Sequence, residues 1–183
     1  MTRAFVALAP PEAQRAQLGA YLERCRAAAP EFRWVAPESV HLTLRFLGRV
    51  EAPPLAALSV RLRGIRYPPF VMRLGALGTF GGRRPSVVWL GLVEGVEPAA
   101  ALARALEAAC AAVGLEPETR PFRPHLTLAR ARERSGAVLP ELPPPPDMAP
   151  WTATEMILFE SRLGGGPPVY VPLERFALQA DRA

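Results

Sequence analysis

The chain contains two histidines, and each opens the same tetrapeptide: His41-Leu42-Thr43-Leu44 and His125-Leu126-Thr127-Leu128. They stand 84 residues apart, close to half of the 183-residue chain. A pair of imidazoles suits phosphodiester chemistry that needs no metal. One ring takes a proton from the nucleophile and the other gives a proton to the leaving oxygen. Histidine titrates near neutral pH, so one ring can be neutral while the other is charged. Threonine hydroxyls can donate to non-bridging phosphate oxygens, which assigns phosphate binding to Thr43 and Thr127. Arginine can offset the charge that accumulates in the transition state.

Other chemistries fit these residue types less well. Two histidines without clustered carboxylates or thiols make a poor metal-ligand set, so no metal is expected. A nucleophilic triad needs an acid to orient a histidine. The two aspartates, Asp147 and Asp181, fall in loop and tail sequence. No phosphate-binding glycine loop or dinucleotide fingerprint is present, and no cofactor is expected. The glycine clusters at 81–82 and 164–166 read as hairpin turns.

The segments that carry the motifs are β-like, Val40 to Leu47 and Phe122 to Ala129. Side chains alternate between faces along a strand. Leu42 and Leu44 then share one face, and His41, Thr43 and Arg45 the other. The same parity places Arg123 with His125 and Thr127. Arg45 and Arg123 are therefore candidate substrate contacts. Phe46, Trp34 and Phe122 are large enough to stack a base, but parity sends Phe46 and Phe122 to the core side.

What precedes each motif also repeats. Arg3 to Ala9 reads as a strand and Pro11 to Ala29 as a helix, with Pro10-Pro11 at its start and Pro30 at its end. In the second half Ser86 to Val93 reads as a strand. Pro98 to Val113 follows as a helix, stopped by Gly114. Phe5 precedes His41 by 36 positions, and Val88 precedes His125 by 37. Cys25 and Cys110 fall at matching distances before the motifs and read as buried apolar residues on equivalent helices. Pro53 to Ile65 looks helical. Phe70 to Phe80 with Ser86 to Val93, and Thr152 to Leu163 with Val169 to Leu178, look like hairpins. Ser135 to Pro150, with Pro143 to Pro146, reads as a stiff surface loop. The expected fold is α+β, with two pseudo-symmetric lobes, each an antiparallel sheet with helices, facing each other across a central cleft. Residues 1–183 form one bilobal domain of two tandem repeats, about 1–80 and 86–178, with strand exchange between lobes left open.

Composition agrees with an anionic substrate. The formal charge is +5, the pI is near 10.2, and every basic residue is arginine. A basic surface of this kind suits nucleic acid or a phosphate ester. No stretch approaches the ~18 apolar residues of a membrane span, and the short apolar N-terminus is no signal peptide. A cytoplasmic protein is expected, with nothing to call for an obligate protein partner.

These residues resemble the 2H phosphoesterases, defined by paired His-x-Thr-x motifs, and within them the RNA 2′,3′-cyclic phosphodiesterases, also called 2′-5′ RNA ligases. The resemblance is carried by Phe32-Arg33-Trp34-Val35 with His41 to Gly48, and by Phe122-Arg123-Pro124 with His125 to Arg130. The opening Arg3 to Ala7 and the closing Tyr170 to Leu178 are also similar, so it runs nearly the whole chain. It departs at Arg45, where lysine is common, and at the Pro143–Pro146 loop. It implies that His125 accepts a proton from water, which attacks the phosphorus of an RNA 2′,3′-cyclic phosphate end. His41 is then the proton donor to the departing 3′ oxygen, and a 2′-phosphate remains. A 5′-hydroxyl in place of water would make a 2′-5′ linkage. For Arg130 the resemblance implies substrate binding, whereas strand parity turns it away from His125; both readings stay open. The other functional readings are a 2H enzyme for another small cyclic phosphate, such as ADP-ribose 1″,2″-cyclic phosphate, and a non-catalytic RNA-binding module.

Overall fold

The computed structural model describes residues 1–180; Asp181 lies outside them. Nine strands and three helices follow in the order β1 (Thr2–Leu8), α1 (Glu12–Ala28), β2 (Phe32–Trp34), β3 (Leu42–Val50), α2 (Ala52–Arg63), β4 (Phe70–Phe80), β5 (Val87–Glu94), α3 (Val96–Ala111), β6 (His125–Ala131), β7 (Trp151–Ala153), β8 (Glu155–Arg162) and β9 (Val169–Ala177). A 3-10 turn, Pro37–Ser39, stands just before β3. The fold is α+β, as expected. The strands form one antiparallel sheet in the order β7-β4-β5-β6-β3-β1-β8-β9, with β2 added on β6.

The sheet has two wings that meet where the motif strands touch. β3 and β6 are joined at a single pair, Leu42 opposite Leu126. Each wing draws strands from both halves of the chain. The β8–β9 hairpin from the C-terminus completes the wing of β1 and β3, while β4 from the first half pairs with β5 from the second. The helices cross over as well: α1, which leaves β1, packs against β2 of the other wing, and α3, which leaves β5, packs against β3.

The apolar core lies between the helices and one face of this sheet. Along β1, Ala4, Val6 and Leu8 enter the core, and Phe5 and Ala7 turn to the opposite, cleft face. α1 contributes Leu18, Tyr21, Leu22 and Cys25; α3 contributes Ala99, Leu102, Leu106 and Cys110. Both cysteines are free and buried. Gly114 ends α3 with φ 78°, and the Leu115 N–H closes the turn onto the Cys110 carbonyl, the left-handed stop that glycine permits.

Three sequence expectations change in detail. β6 begins at His125 rather than Phe122, so Arg123 precedes the strand and its parity with His125 does not hold. Thr152 and Ala153 belong to β7, which pairs with β4, and the hairpin with β9 begins only at Glu155. The proline-rich segment is no free surface loop. Ala137 and Met148 are buried, the Tyr21 hydroxyl donates to the Pro143 carbonyl at 3.1 Å, and Gln14 Nε2 donates to the Ala149 carbonyl at 3.4 Å. Prolines lack the N–H that a strand would use, so the segment is held by its carbonyls against α1. Among the described residues, no helix is long and apolar enough to cross a membrane.

Candidate active site

The two motifs are placed symmetrically about the seam. Extending the Leu42–Leu126 register by one residue sets His41 across from Thr127, and Thr43 across from His125, on the cleft face. The leucines between them point into the core with no exposed surface. Outward, Thr43 pairs with Ala7 of β1 and Thr127 with Trp89 of β5.

Each motif strand carries a bulge at the same point. On β3 the register jumps from Thr43 to Arg45, and on β6 from Thr127 to Ala129. A bulge adds one residue to a strand and reverses the alternation beyond it. Leu44 and Arg45 are consequently both buried on the helix side, as are Leu128 and Ala129. Phe46 and Arg130, which simple alternation sends to the core side, emerge exposed on the cleft face at equivalent positions. The strand partner of Phe46 is Phe5 and that of Arg130 is Val87, so Val87, not Val88, is the counterpart of Phe5.

This geometry separates the arginine candidates. Arg130 joins the histidines, and its charge acts on both imidazoles. Arg45 does not. It is 8% exposed, its Nε lies 2.5 Å from the Glu107 carboxylate of α3, and its guanidinium donates to the carbonyls of Phe46 and Glu116. Arg45 therefore ties the β3 bulge to α3 instead of facing substrate. Arg123 is exposed, and its backbone carbonyl meets His125 Nδ1.

The imidazoles are held alike. His41 Nδ1 lies 2.8 Å from the Ser39 carbonyl, and His125 Nδ1 lies 2.6 Å from the Arg123 carbonyl. A carbonyl only accepts, so Nδ1 carries hydrogen in both rings and donates it. The neutral rings then keep the Nε2 lone pair free, able to accept a proton and, once charged, to return it. Neither Nδ1 is held by a carboxylate, which separates the site from a nucleophilic triad.

Aromatic rings pack each imidazole. Phe5 stacks on His41 at 4.7 Å, and Tyr170 meets it edge-on at 5.1 Å. Phe80 meets His125 edge-on at 5.2 Å, with Trp89 at 5.8 Å. The Trp89 ring lies over Gly78, where an added Cβ would come within 2.2 Å of it. Burial holds the His41 pKa down at about 4, the Ser39 carbonyl opposes this, and the charges of Arg130 and His125 add to it. Burial and Arg130 lower His125 in the same direction, against the Arg123 carbonyl. In the free protein burial thus favours the neutral form of both rings.

Sequence reasoning missed Phe5, Phe80, Trp89 and Tyr170, which come from four different strands. Phe5 was half legible, because β1 is apolar on both faces. Trp34 proves to be a core residue, with Nε1 donating to the Ala29 carbonyl at 2.9 Å, and Phe122 packs against the core. Beside His41 a cavity of about 760 Å³ opens between the turn that carries Glu38 and Ser39 and the β8–β9 hairpin. Among the described residues, no three His, Cys, Asp or Glu side chains converge as metal ligands would.

Comparison with known proteins finds a family and relatives that span most of the chain. The profile of the 2′-5′ RNA ligase superfamily matches residues 10–165. The chain is 39% identical over 146 residues to the RNA 2′,3′-cyclic phosphodiesterase of Escherichia coli, covering 80% of each chain. It is 34% identical over 190 residues to the enzyme of that name from Thermus thermophilus, covering 98% of this chain and 91% of the relative. The crystal structure of E. coli LigT complexed with 3′-AMP superposes with a TM-score of 0.82 at 34% identity, over 97% of this chain and 98% of that one. Paired motifs, shared fold and whole-chain similarity place this chain in the 2′-5′ RNA ligase superfamily, among the RNA 2′,3′-cyclic phosphodiesterases.

Proposed function

We propose that this protein hydrolyses the 2′,3′-cyclic phosphate at an RNA end to a 2′-phosphate, using His125 as base and His41 as acid. The observation that carries the reading is the matched pair of imidazoles, each fixed through Nδ1 to a carbonyl, on either side of the seam. His125 Nε2 removes a proton from water as the water oxygen bonds to phosphorus. The bond from phosphorus to the 3′ oxygen breaks on the opposite side, and His41 Nε2–H protonates that oxygen. Thr43 and Thr127 donate to the non-bridging oxygens, and Arg130 offsets the added negative charge. The substrate anion also raises the proton affinity of His41, which is otherwise neutral. If a 5′-hydroxyl replaces water, the same step joins two RNA ends by a 2′-5′ linkage, with no nucleotide cofactor.

The relatives named RNA 2′,3′-cyclic phosphodiesterase, and the related structure holding 3′-AMP, support the choice of substrate class. The test is a panel of cyclic-phosphate-ended RNA, a cyclic mononucleotide and ADP-ribose 1″,2″-cyclic phosphate, assayed in EDTA. The product phosphate position is read by ³¹P NMR. Preferred turnover of the RNA end to a 2′-phosphate is expected. A 3′-phosphate product, or preference for ADP-ribose 1″,2″-cyclic phosphate, would overturn the reading, and binding without turnover would leave only an RNA-binding module.

A further inference from the structure

We propose that Arg3 and Arg49 form a second phosphate site, which holds the phosphodiester one nucleotide before the cyclic end of a bound RNA. Arg3 on β1 is paired directly with Arg49 on β3, and both are exposed. Like charges placed directly opposite each other on neighbouring strands are destabilising. Ten arginines are held in ion pairs with glutamates, whereas neither Arg3 nor Arg49 has such a partner among the described residues. Two unpaired guanidiniums side by side match the oxygens of one phosphate group.

Their place in the sheet says which phosphate. Arg3 is two residues from Phe5 and shares its face, roughly 7 Å further along the strand. Phe5 is the ring stacked on His41. Tyr170, in edge contact with His41, feels the charge of Arg130 and, more weakly, that of Arg3. The pair therefore stands on the wing of His41, a short step outward from the reacting phosphorus. This assignment rests on the reading of His41 as the acid. The 3′ oxygen that leaves phosphorus remains on the terminal ribose, so that ribose lies on the His41 side. The chain that leads away from it begins with its 5′ phosphodiester. Phe46, exposed between His41 and the arginines and backed by the buried Phe5, offers an apolar surface to the intervening nucleoside. The cavity beside His41 is a poorer route, because Arg15 and Arg175 on its wall are balanced by Glu38 and Glu155, with Arg175 already paired to Glu155, and leave no surplus positive charge for a phosphate.

The experiment compares adenosine 2′,3′-cyclic phosphate with adenylyl-adenosine 2′,3′-cyclic phosphate, which adds one phosphodiester. Arg3→Gln, Arg49→Gln and Arg33→Gln are assayed beside the wild type. Wild type should prefer the dinucleotide. Arg3→Gln and Arg49→Gln should each lose about tenfold in kcat/KM on the dinucleotide, the size of one charge-assisted contact, and keep their turnover of the mononucleotide. The salt dependence of dinucleotide binding should weaken by about 0.7 in log–log slope per lost contact. Melting temperatures should hold or rise, because the repulsion is relieved. Equal loss on both substrates, or no loss on either, would overturn the site. So would a dinucleotide-specific loss confined to Arg33→Gln, which would put the strand on the His125 wing. Wild-type protein inert on both substrates would instead overturn the cyclic-phosphate reading beneath it.

Discussion

Binding of a phosphate anion in the cleft should return a proton to His41. Free His41 has a pKa of about 4 against an ordinary 6.5, caused first by burial. That difference corresponds to about 3 kcal/mol against the charged ring, and leaves about one ring in a thousand protonated at pH 7. A phosphate anion about 4 Å from the ring attracts the imidazolium by about 4 kcal/mol at an effective dielectric of about 20. The two terms nearly cancel, so the bound complex should titrate near neutrality. With two histidines in the chain, both imidazoles can be followed by ¹H–¹⁵N NMR from pH 3.5 to 8, without ligand and with saturating inorganic phosphate. The His41 signals should titrate near pH 4 in the free protein and move up when phosphate binds. The kcat/KM profile, which reports the free enzyme, should fall away on ionisations below pH 6.5, and the alkaline limb of kcat should lie higher. The sign for stability follows from the same shift. Between about pH 6.5 and 4 the unfolded chain binds more protons than the folded one, so stability falls as pH falls through this window, by about 3 kcal/mol from His41. A free His41 that titrates at or above 6.5, or one that phosphate leaves unmoved, would refute this reasoning.

His41→Ala or His125→Ala should each lower kcat by roughly 10²–10⁴-fold, and the double variant by far less than the product, since a step without its acid gains little from its base; single-turnover rates on cyclic-phosphate RNA decide it. Thr43→Val and Thr127→Val keep the β-branched shape and should each cost about 1–3 kcal/mol of transition-state stabilisation, measured as kcat/KM with unchanged melting temperature. Gly78→Ala drives a Cβ into the Trp89 ring. The displaced indole should disturb His125 and lower kcat/KM by about ten- to a hundredfold, with a shift in tryptophan fluorescence as the check. Arg45→Met breaks the buried contact with Glu107 and should cost about 3 kcal/mol in urea unfolding while KM stays near wild type; a large rise in KM would return Arg45 to the substrate.

The residues proposed to do the chemistry are legible in the chain itself. Two identical His-Leu-Thr-Leu segments fix a leucine face and a histidine–threonine face by the period of a strand, and no tertiary contact alters that over four residues. The repeated strand and helix before each motif, the buried cysteines and the α+β class followed from apolar patterning and from proline and glycine at element ends. Tertiary structure decided what lies past the fourth residue. The bulges after Thr43 and Thr127 exist only because β3 and β6 each pair with a neighbour of different register. They turn Arg130 and Phe46 into the cleft and send Arg45 to α3, opposite to what alternation within one strand gives. Nor does local sequence tell which rings meet an imidazole, since Phe5, Phe80, Trp89 and Tyr170 come from strands far apart in the chain. The depressed proton affinity of His41 is of the same kind: it comes from burial and from Arg130 across the seam, and desolvation is a property of the folded cleft rather than of any segment.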